Sequence, residues 1–263
     1  EEHRKEIFGA CRDVAGEFRG EVLMNEVVDH WSAVEVLQNV PNVPCFLGAK
    51  LTSSRGLSET FLAGCASGLK ALRDAFYAIR EGKIDVAFVG AGSAKNDRIE
   101  KKIMQAQSFF SREDEKIADG GAALVLETEE HVRRRGGTPF AEILDVKEGF
   151  SPLAYSCGGI DEETVENTIR MEGIDAQEKV LYVRGGLTEA VMGVEERVAR
   201  QLYKRVQFVR DTERKDGYTF AASGLMELIA GLQSAEQCHC LVSTFAYSGH
   251  SACVHFKPGS FGQ

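Results

Sequence analysis

Residues Phe61–Ala94 read FLAGCASGLKALRDAFYAIREGKIDVAFVGAGSA, and the rest of the chain is organised around them. Small residues crowd one cysteine in Gly64-Cys65-Ala66-Ser67-Gly68, and apolar residues then recur at Leu69, Leu72, Phe76 and Ile79. Steps of three and four residues mark one face of a helix, so Cys65 stands at or just before a helix start. The unpaired N–H groups and positive pole of a helix N-terminus favour a thiolate over a thiol. Gly64 and Gly68 allow a sharp turn and a close neighbour, and Gly82 is placed for the left-handed cap that ends a helix. Ile84–Val89 reads as a buried strand leading into the small-residue turn Gly90-Ala91-Gly92-Ser93, as at strand ends in α/β sites. Position alone leaves two readings of Cys65 open: a nucleophile, or a buried structural cysteine in a tight helix–strand contact.

The chain has 263 residues, 43% hydrophobic and 27% charged. That length buries roughly three-quarters of the unfolded surface, as one large or two closely packed domains. No apolar run approaches the roughly 20 residues of a membrane span, and Glu1–Phe18 carries too much charge for a signal peptide, so the expected location is cytoplasmic. Seven cysteines, Cys11, Cys45, Cys65, Cys157, Cys238, Cys240 and Cys253, form an odd set without the density of a disulfide scaffold and read as thiols. A net charge of −9 argues against nucleic acid or an anionic membrane as the main partner. Arg133-Arg134-Arg135 and the run Arg200, Lys204, Arg205, Arg210 are either a basic patch for an acidic partner or solvated helix faces.

Residues 1–40 carry helical patterns, such as Ile7, Cys11, Val14 and Phe18, with Trp31, Val34, Val36 and Leu37 nearby; they point to no function. Pro41-Asn42-Val43-Pro44 breaks that pattern. Further on, a short helix from Glu129 ends at Gly136-Gly137, and Phe140–Val146 follows as a strand. The pattern then predicts helix Glu162–Met171, strand Val180–Val183, helices Thr188–Tyr203 and Phe220–Gln233, and hairpin Cys238–Phe256. Ala66-Ser67-Gly68-Leu69 with Leu72 recurs 156 residues later as Ala222-Ser223-Gly224-Leu225 with Leu228, and Val86 falls on Val242 at the same offset. Two helix–strand units related in this way predict a duplicated α/β core, with Ala221 in the place of Cys65.

CASGLKAL, its helix and IDVAFVGAGSA resemble the nucleophile segment of the elongating β-ketoacyl-acyl-carrier-protein synthases, the ketosynthase branch of the thiolase superfamily. Arg55-Gly56 fits the turn that precedes that cysteine in the family. Phe109-Phe110-Ser111-Arg112-Glu113-Asp114 is similar to its F-D-x-x-R-D loop, and Asp119–Glu127 to its G-E-G-A-G-x-L-V-L-E strand; Ala123–Leu126 reads as buried strand on any view. The resemblance implies an α/β fold with a thiolase-like duplicated αβαβα layered core, divided into halves 1–146, which carries the nucleophile cysteine, and 147–263. Only 64 residues precede Cys65, so the N-terminal part of the first repeat is short or absent.

The same resemblance exposes losses. The family's first catalytic histidine lies in H-G-T-G-T, where this chain has Arg184-Gly185-Gly186-Leu187-Thr188. Its second lies in K-x-x-x-G-H, which here reads Glu213-Arg214-Lys215-Asp216-Gly217-Tyr218, so Tyr218 replaces the histidine and Glu213 the lysine. The G-F-G-G-T-N turn of the oxyanion hole and gate becomes Ala246-Tyr247-Ser248-Gly249-His250-Ser251. A decarboxylating condensation needs a thiolate, an oxyanion hole and donors for the enolate. A guanidinium accepts no proton at neutral pH, and tyrosine is a poor base; His250 is either a substitute base or a solvated turn histidine. Three functions stay open: a non-condensing partner of an active ketosynthase, comparable to chain-length factors; an acyltransferase or thioesterase-like enzyme using Cys65; and an atypical condensing enzyme. Implied partners are acyl-carrier protein or acyl-CoA, with a homodimer or a heterodimer with a complete ketosynthase. Zinc-type ligands cluster at Cys238, His239, Cys240, His250, Cys253 and His255, but Cys238 and Cys240 share one strand face with apolar residues between the ligands. No metal and no cofactor is expected.

Overall fold

The computed structural model describes residues 19, 22, 40–93, 118–152, 160–185, 189–209, 217–234 and 238–259. Cys11, Cys157, the Phe109–Asp114 loop, Gly186–Thr188 and Glu213–Asp216 lie outside them. The chain divides into two compact units, Glu1–Thr60 and Phe61–Gln263. In the first, the prolines open a helix: Pro44 occupies the first turn of α1 (Val43–Thr52), where a missing N–H breaks no hydrogen bond. Cys45 donates its thiol proton to Glu59 O at 3.3 Å and lies 3.1 Å from Ser58 Oγ.

The second unit opens with a 3₁₀ turn at Gly64–Ala66, followed by α2 (Ser67–Arg80), β1 (Val86–Ser93), β2 (Gly120–Glu127) and α3 (Glu129–Arg134). Then come β3 (Ala141–Phe150), α4 (Glu162–Ile169), β4 (Lys179–Val183), α5 (Glu189–Leu202) and β5 (Arg205–Val209). A second 3₁₀ turn at Phe220–Ala222 leads into α6 (Ser223–Ser234), β6 (His239–Phe245) and β7 (His250–Pro258). Strands β1 and β2 pair antiparallel, Val86 with Glu127 through to Ser93 with Gly120. The other five form one sheet in the order β3-β7-β6-β4-β5, with β4 parallel to β5 and β6 and β7 antiparallel to β3 and β6. The edge strand β5 includes Arg205, which the sequence groups with a basic run.

Helices α2 and α6 lie between the two sheets. Leu69 and Leu72 of α2 and Leu225 and Leu228 of α6 pack with Val89, Leu181, Val183, Cys240, Val242, Val254 and Phe256 in one buried cluster. Fully burying such side chains contributes about 1.5–3 kcal/mol each. On the far face of the five-stranded sheet, Tyr182, Leu241, Phe245 and Cys253 pack against Val165 and Ile169 of α4 and Val191, Val198 and Ala199 of α5.

The repeat is a pseudo-twofold contact between helices. A Cβ added to Gly68 would lie 2.9 Å from Leu225 Cγ and 3.1 Å from Ala221 O, and one added to Gly224 would lie 2.8 Å from Leu69 Cγ and 3.4 Å from Cys65 O. Leu225 and Ala221 are the repeat counterparts of Leu69 and Cys65, so each helix start offers a glycine to the other's leucine and carbonyl. The preceding residues correspond as well: Gly64 has φ +59° and Phe220 φ +48°. The correspondence fails in the strand. Val86 is 41% exposed whereas Val242 is fully buried; the inward residues are Ala87, Val89 and Ala91 in β1 and Cys240 and Val242 in β6. Helix α2 has 14 residues and α6 has 12, and the inward strand positions fall at an odd difference in spacing, which turns each side chain to the opposite face. The sequence reading of Ile84–Val89 and Ala123–Leu126 as buried strand also fails on one face: Phe88 and Val125 stand exposed, while Ala87, Val89, Ala91 and Leu124 pack into the cluster around α2 and α6.

Candidate functional site

Cys65 sits in the turn before α2 and is only 2% exposed. The turn is held by Ser67, whose Oγ accepts from Ala63 N at 2.8 Å and donates to Gly64 O at 2.7 Å; the counterpart Ser223 Oγ lies 3.2 Å from Thr219 Oγ1. A Cβ on Gly64 would come within 3.2 Å of Ala246 Cβ and 3.8 Å of Ser248 Oγ. The Ala246–His250 turn thus lies directly against the cysteine turn. It is closed by Ala246 N donating to His250 O at 2.8 Å and Gly249 N to Ala246 O at 2.9 Å, with Gly249 at φ +85°. Tyr247 is partly buried and Ser248 exposed.

Ala63, Cys65, Ala66, Tyr218, Phe220 and Ala246 form one small buried cluster. The fold therefore brings together Cys65, Tyr218 and Ala246 from three distant stretches. Tyr218 meets Phe220 edge to face at 4.6 Å between ring centroids. His250 ends the turn from Ala246, its ring 5.0 Å from that of Phe150. Burial and the Lys70 ammonium hold its imidazole below the usual histidine range, with Glu148 acting in the opposite sense; Lys70 itself is paired with Glu148 at 2.6 Å.

Arg184 does not join the cluster. Its Nη1 donates to Glu196 Oε2 at 3.0 Å, and its guanidinium stands 5.4 Å from the Phe208 ring centroid, on the α5–β5 side. Only its neighbouring backbone reaches toward the site, where Phe245 N donates to Gly185 O at 3.2 Å. Gly185 passes so close to β6 that a Cβ would lie 1.9 Å from Ser243 O. Glu213 lies outside the described residues. Alternation along the strands separates the zinc-type ligands: Cys238 and Cys240 face α6, while His239 and His255 stack on each other with Nδ1 2.8 Å from Nε2. Of the candidate basic patches, Arg133 pairs with Glu129, Arg135 with Glu127 and Arg200 with Glu196.

Two features escaped the sequence reading. Phe220 carries no sequence sign of its left-handed backbone. Glu195 is completely buried, and its Oε1 accepts from Tyr182 OH at 2.9 Å, from Ser243 Oγ and from Gly185 N at 3.4 Å. Its Oε2 has no partner among the described residues, and burial above all pushes the carboxyl up to about 7. A signal for it existed: Glu195 shares a helix face with Val191, Met192, Val198 and Ala199.

Residues 14–131 match the family of the β-ketoacyl synthase N-terminal domain. Over that stretch the chain resembles the β-ketoacyl synthases. It is 30% identical over 134 residues to a polyketide β-ketoacyl synthase 1 of Streptomyces halstedii, an alignment that covers 44% of this chain and 32% of that protein. A second match, to the protein of the same name from Streptomyces cyaneus, is 30% identical over 159 residues, 53% of this chain and 37% of the relative. The chain thus spans about a third of the length of these proteins. Among solved structures it resembles a type II polyketide-synthase acyl-carrier protein in complex with its ketosynthase bound to the hexaketide, with a TM-score of 0.75, 18% identity, and coverage of 91% of this chain and 69% of that one. It also resembles the ishigamide ketosynthase/chain length factor, with a TM-score of 0.71, 18% identity, and coverage of 98% and 69%. At such identity the likeness concerns the fold, which is thiolase-like, as the nucleophile segment implies. No helix among the described residues is long and apolar enough to cross a membrane.

Proposed function

We propose that this chain is a non-condensing ketosynthase-like protein of polyketide-type or fatty-acid biosynthesis, acting as the partner of an active β-ketoacyl synthase in the cytoplasm. The observation that carries the reading is the commitment of Arg184 to Glu196 and Phe208. The side chain at the first histidine position points its charge away from the Cys65 cluster. At the second position stands Tyr218, whose hydroxyl donates a hydrogen bond but is a poor base. Cys65 is left among apolar neighbours, in a setting suited to holding an acyl group and lacking the two imidazoles that stabilise the enolate after decarboxylation. The halves 1–146 and 147–263 are read as the two copies of the duplicated core.

The partner reading draws on the ishigamide ketosynthase/chain length factor, and the carrier reading on the ketosynthase held by an acyl-carrier protein. A second reading, acyl transfer through Cys65, is favoured by the cysteine itself, kept at the start of α2 against the Ala246–His250 turn. The test is to incubate the protein with acyl and malonyl donors on carrier protein, alone and with a complete ketosynthase. Products are followed by mass spectrometry and association by size-exclusion chromatography. The reading requires no β-ketoacyl product from the chain alone and a stable heterocomplex; condensation by the chain alone overturns it. An acyl adduct confined to Cys65 and released to a second acceptor moves the assignment to acyl transfer.

A further inference from the structure

Within the first unit, α1 and the segment after it border an open pocket of about 580 Å³, inside the range of about 300–1,000 Å³ that small-molecule sites occupy. The chain doubles back to make it. Ser53 ends α1 at φ +56° and Ser54 N donates to Ala49 O at 2.9 Å. The returning segment meets the helix at Cys45, whose thiol donates to Glu59 O at 3.3 Å and lies 3.1 Å from Ser58 Oγ. Lys50 on the helix and Arg55 on the returning segment both line the pocket, together with the hydroxyls of Ser53, Ser54 and Ser58, and no carboxylate lines it. Phe46, 61% exposed, supplies an apolar wall. Neither cation has an ion pair among the described residues, whereas Lys70, Arg73, Arg135, Arg184 and Arg200 are all matched by carboxylates. In a chain of net charge −9, two cations on one pocket without a counter-charge are the feature to explain.

We propose that this pocket binds a small organic phosphate monoester, its phosphate held by Lys50 and Arg55 and its organic body against Phe46. Near neutral pH such a phosphate carries a charge of about −1.5 to −2 and three acceptor oxygens, which matches two cations and the hydroxyl donors beside them. A single carboxylate would leave one cation uncompensated. The planar fork of arginine takes two oxygens of such a group at once, and lysine adds a point charge. The pocket is larger than a bare phosphate, which calls for an organic part. None of the lining residues belongs to the unit that holds Cys65, so the proposal stands or falls independently of the reading of that cysteine.

Cys45 lines the same pocket and serves as the reporter. The full chain is treated with two methanethiosulfonates of similar size, one bearing a sulfonate and one a quaternary ammonium, and labelling of Cys45 is followed by peptide mapping with Cys45→Ser as the blank. In both, the Cys45 thiolate attacks the reagent's divalent sulfur, a mixed disulfide forms and methanesulfinate leaves. At low salt the sulfonate reagent should react at least about threefold faster, the order of effect that one nearby unit charge supplies in water. Lys50→Gln combined with Arg55→Gln should reverse that preference, and Lys50→Arg should keep it. Equal rates or a faster cationic reagent in the natural protein, or a preference unchanged in the double variant, overturns the proposal. The ligand arm follows N-ethylmaleimide labelling of Cys45 in the presence of phenyl phosphate, inorganic phosphate or phenol. Phenyl phosphate should slow labelling about threefold once its concentration is about twice its Kd, should outdo inorganic phosphate, and should lose the effect in the double variant. Absent protection, protection that survives loss of both cations, or phenol protecting as well as phenyl phosphate overturns the phosphate assignment; inorganic phosphate protecting as well as phenyl phosphate overturns the organic body. Thermal melts of the variants should match that of the natural protein, and a lowered melt would overturn the claim that the two cations are uncompensated.

Discussion

Replacing Glu195 with glutamine should remove a pH dependence that the buried carboxyl imposes on the whole fold. In the unfolded chain the group titrates at its ordinary value of 4.5, whereas burial raises it to about 7 in the folded protein. The folded state therefore holds a proton that the unfolded state has lost. Its contribution to stability is complete below about pH 4.5 and declines as pH rises through about 7. A difference of that size is worth about 3 kcal/mol, a substantial part of a stability of ~5–15 kcal/mol. Glutamine keeps an oxygen for Tyr182 and Ser243 but buries an amide without an acceptor, a cost of about 1–3 kcal/mol at all pH values. Glu195→Gln should thus be less stable than the natural protein near about pH 5 and close to it, or better, near about pH 8. Urea unfolding at a series of pH values measures this, and the difference between the two proteins isolates the one group from all others that titrate. Parallel pH profiles would refute the reasoning, since they would mean that Glu195 titrates alike in both states.

Gly224→Ala should cost about 1–3 kcal/mol, because the new methyl would press on Leu69 Cγ at 2.8 Å and Thr244 Cγ2 at 3.0 Å. Gly193→Ala, in α5 with nothing within 4 Å of the added carbon, should instead stabilise by about 0.5–1 kcal/mol; thermal melts separate the two. Leu72→Ala, which empties a fully buried position between the sheets, should cost about 2–5 kcal/mol in urea unfolding. His255, held down to about 4 by burial first and the neighbouring His239 second, contributes stability that is present above about pH 6.5 and lost as pH falls toward 4. His255→Gln should therefore flatten the acid side of the stability curve, and an unchanged acid limb would show that the imidazole pair is not what fails there.

The turn at Cys65, the α2 face of Leu69 and Leu72, the left-handed Gly82 and the β6–β7 hairpin were all legible from spacing, because each is set by residues within a turn or two of one another. The match between Ala66–Leu69 and Ala222–Leu225 foretold the central pair of helices for the same reason. Its extension to Val86 and Val242 did not survive, since strand facing depends on the length of the intervening helix and turn, and an odd difference reverses it. The site was legible in part. The cysteine and its two altered partners stood out against the ketosynthase pattern, but the outward pairing of Arg184 with Glu196 was hidden because it depends on which layer α5 occupies.

By itself the sequence determined the duplicated α/β core, the helix start beneath Cys65 and the presence of Arg184 and Tyr218 where the ketosynthase resemblance would place two histidines, all matters of local pattern and residue identity. The tertiary structure alone decided that Tyr218, Phe220 and Ala246 gather around Cys65, that Phe220 takes a backbone conformation usually left to glycine, and that Glu195 is buried with a raised proton affinity. These depend on contacts between segments far apart in the chain, where packing and desolvation set the energy and no periodicity records it.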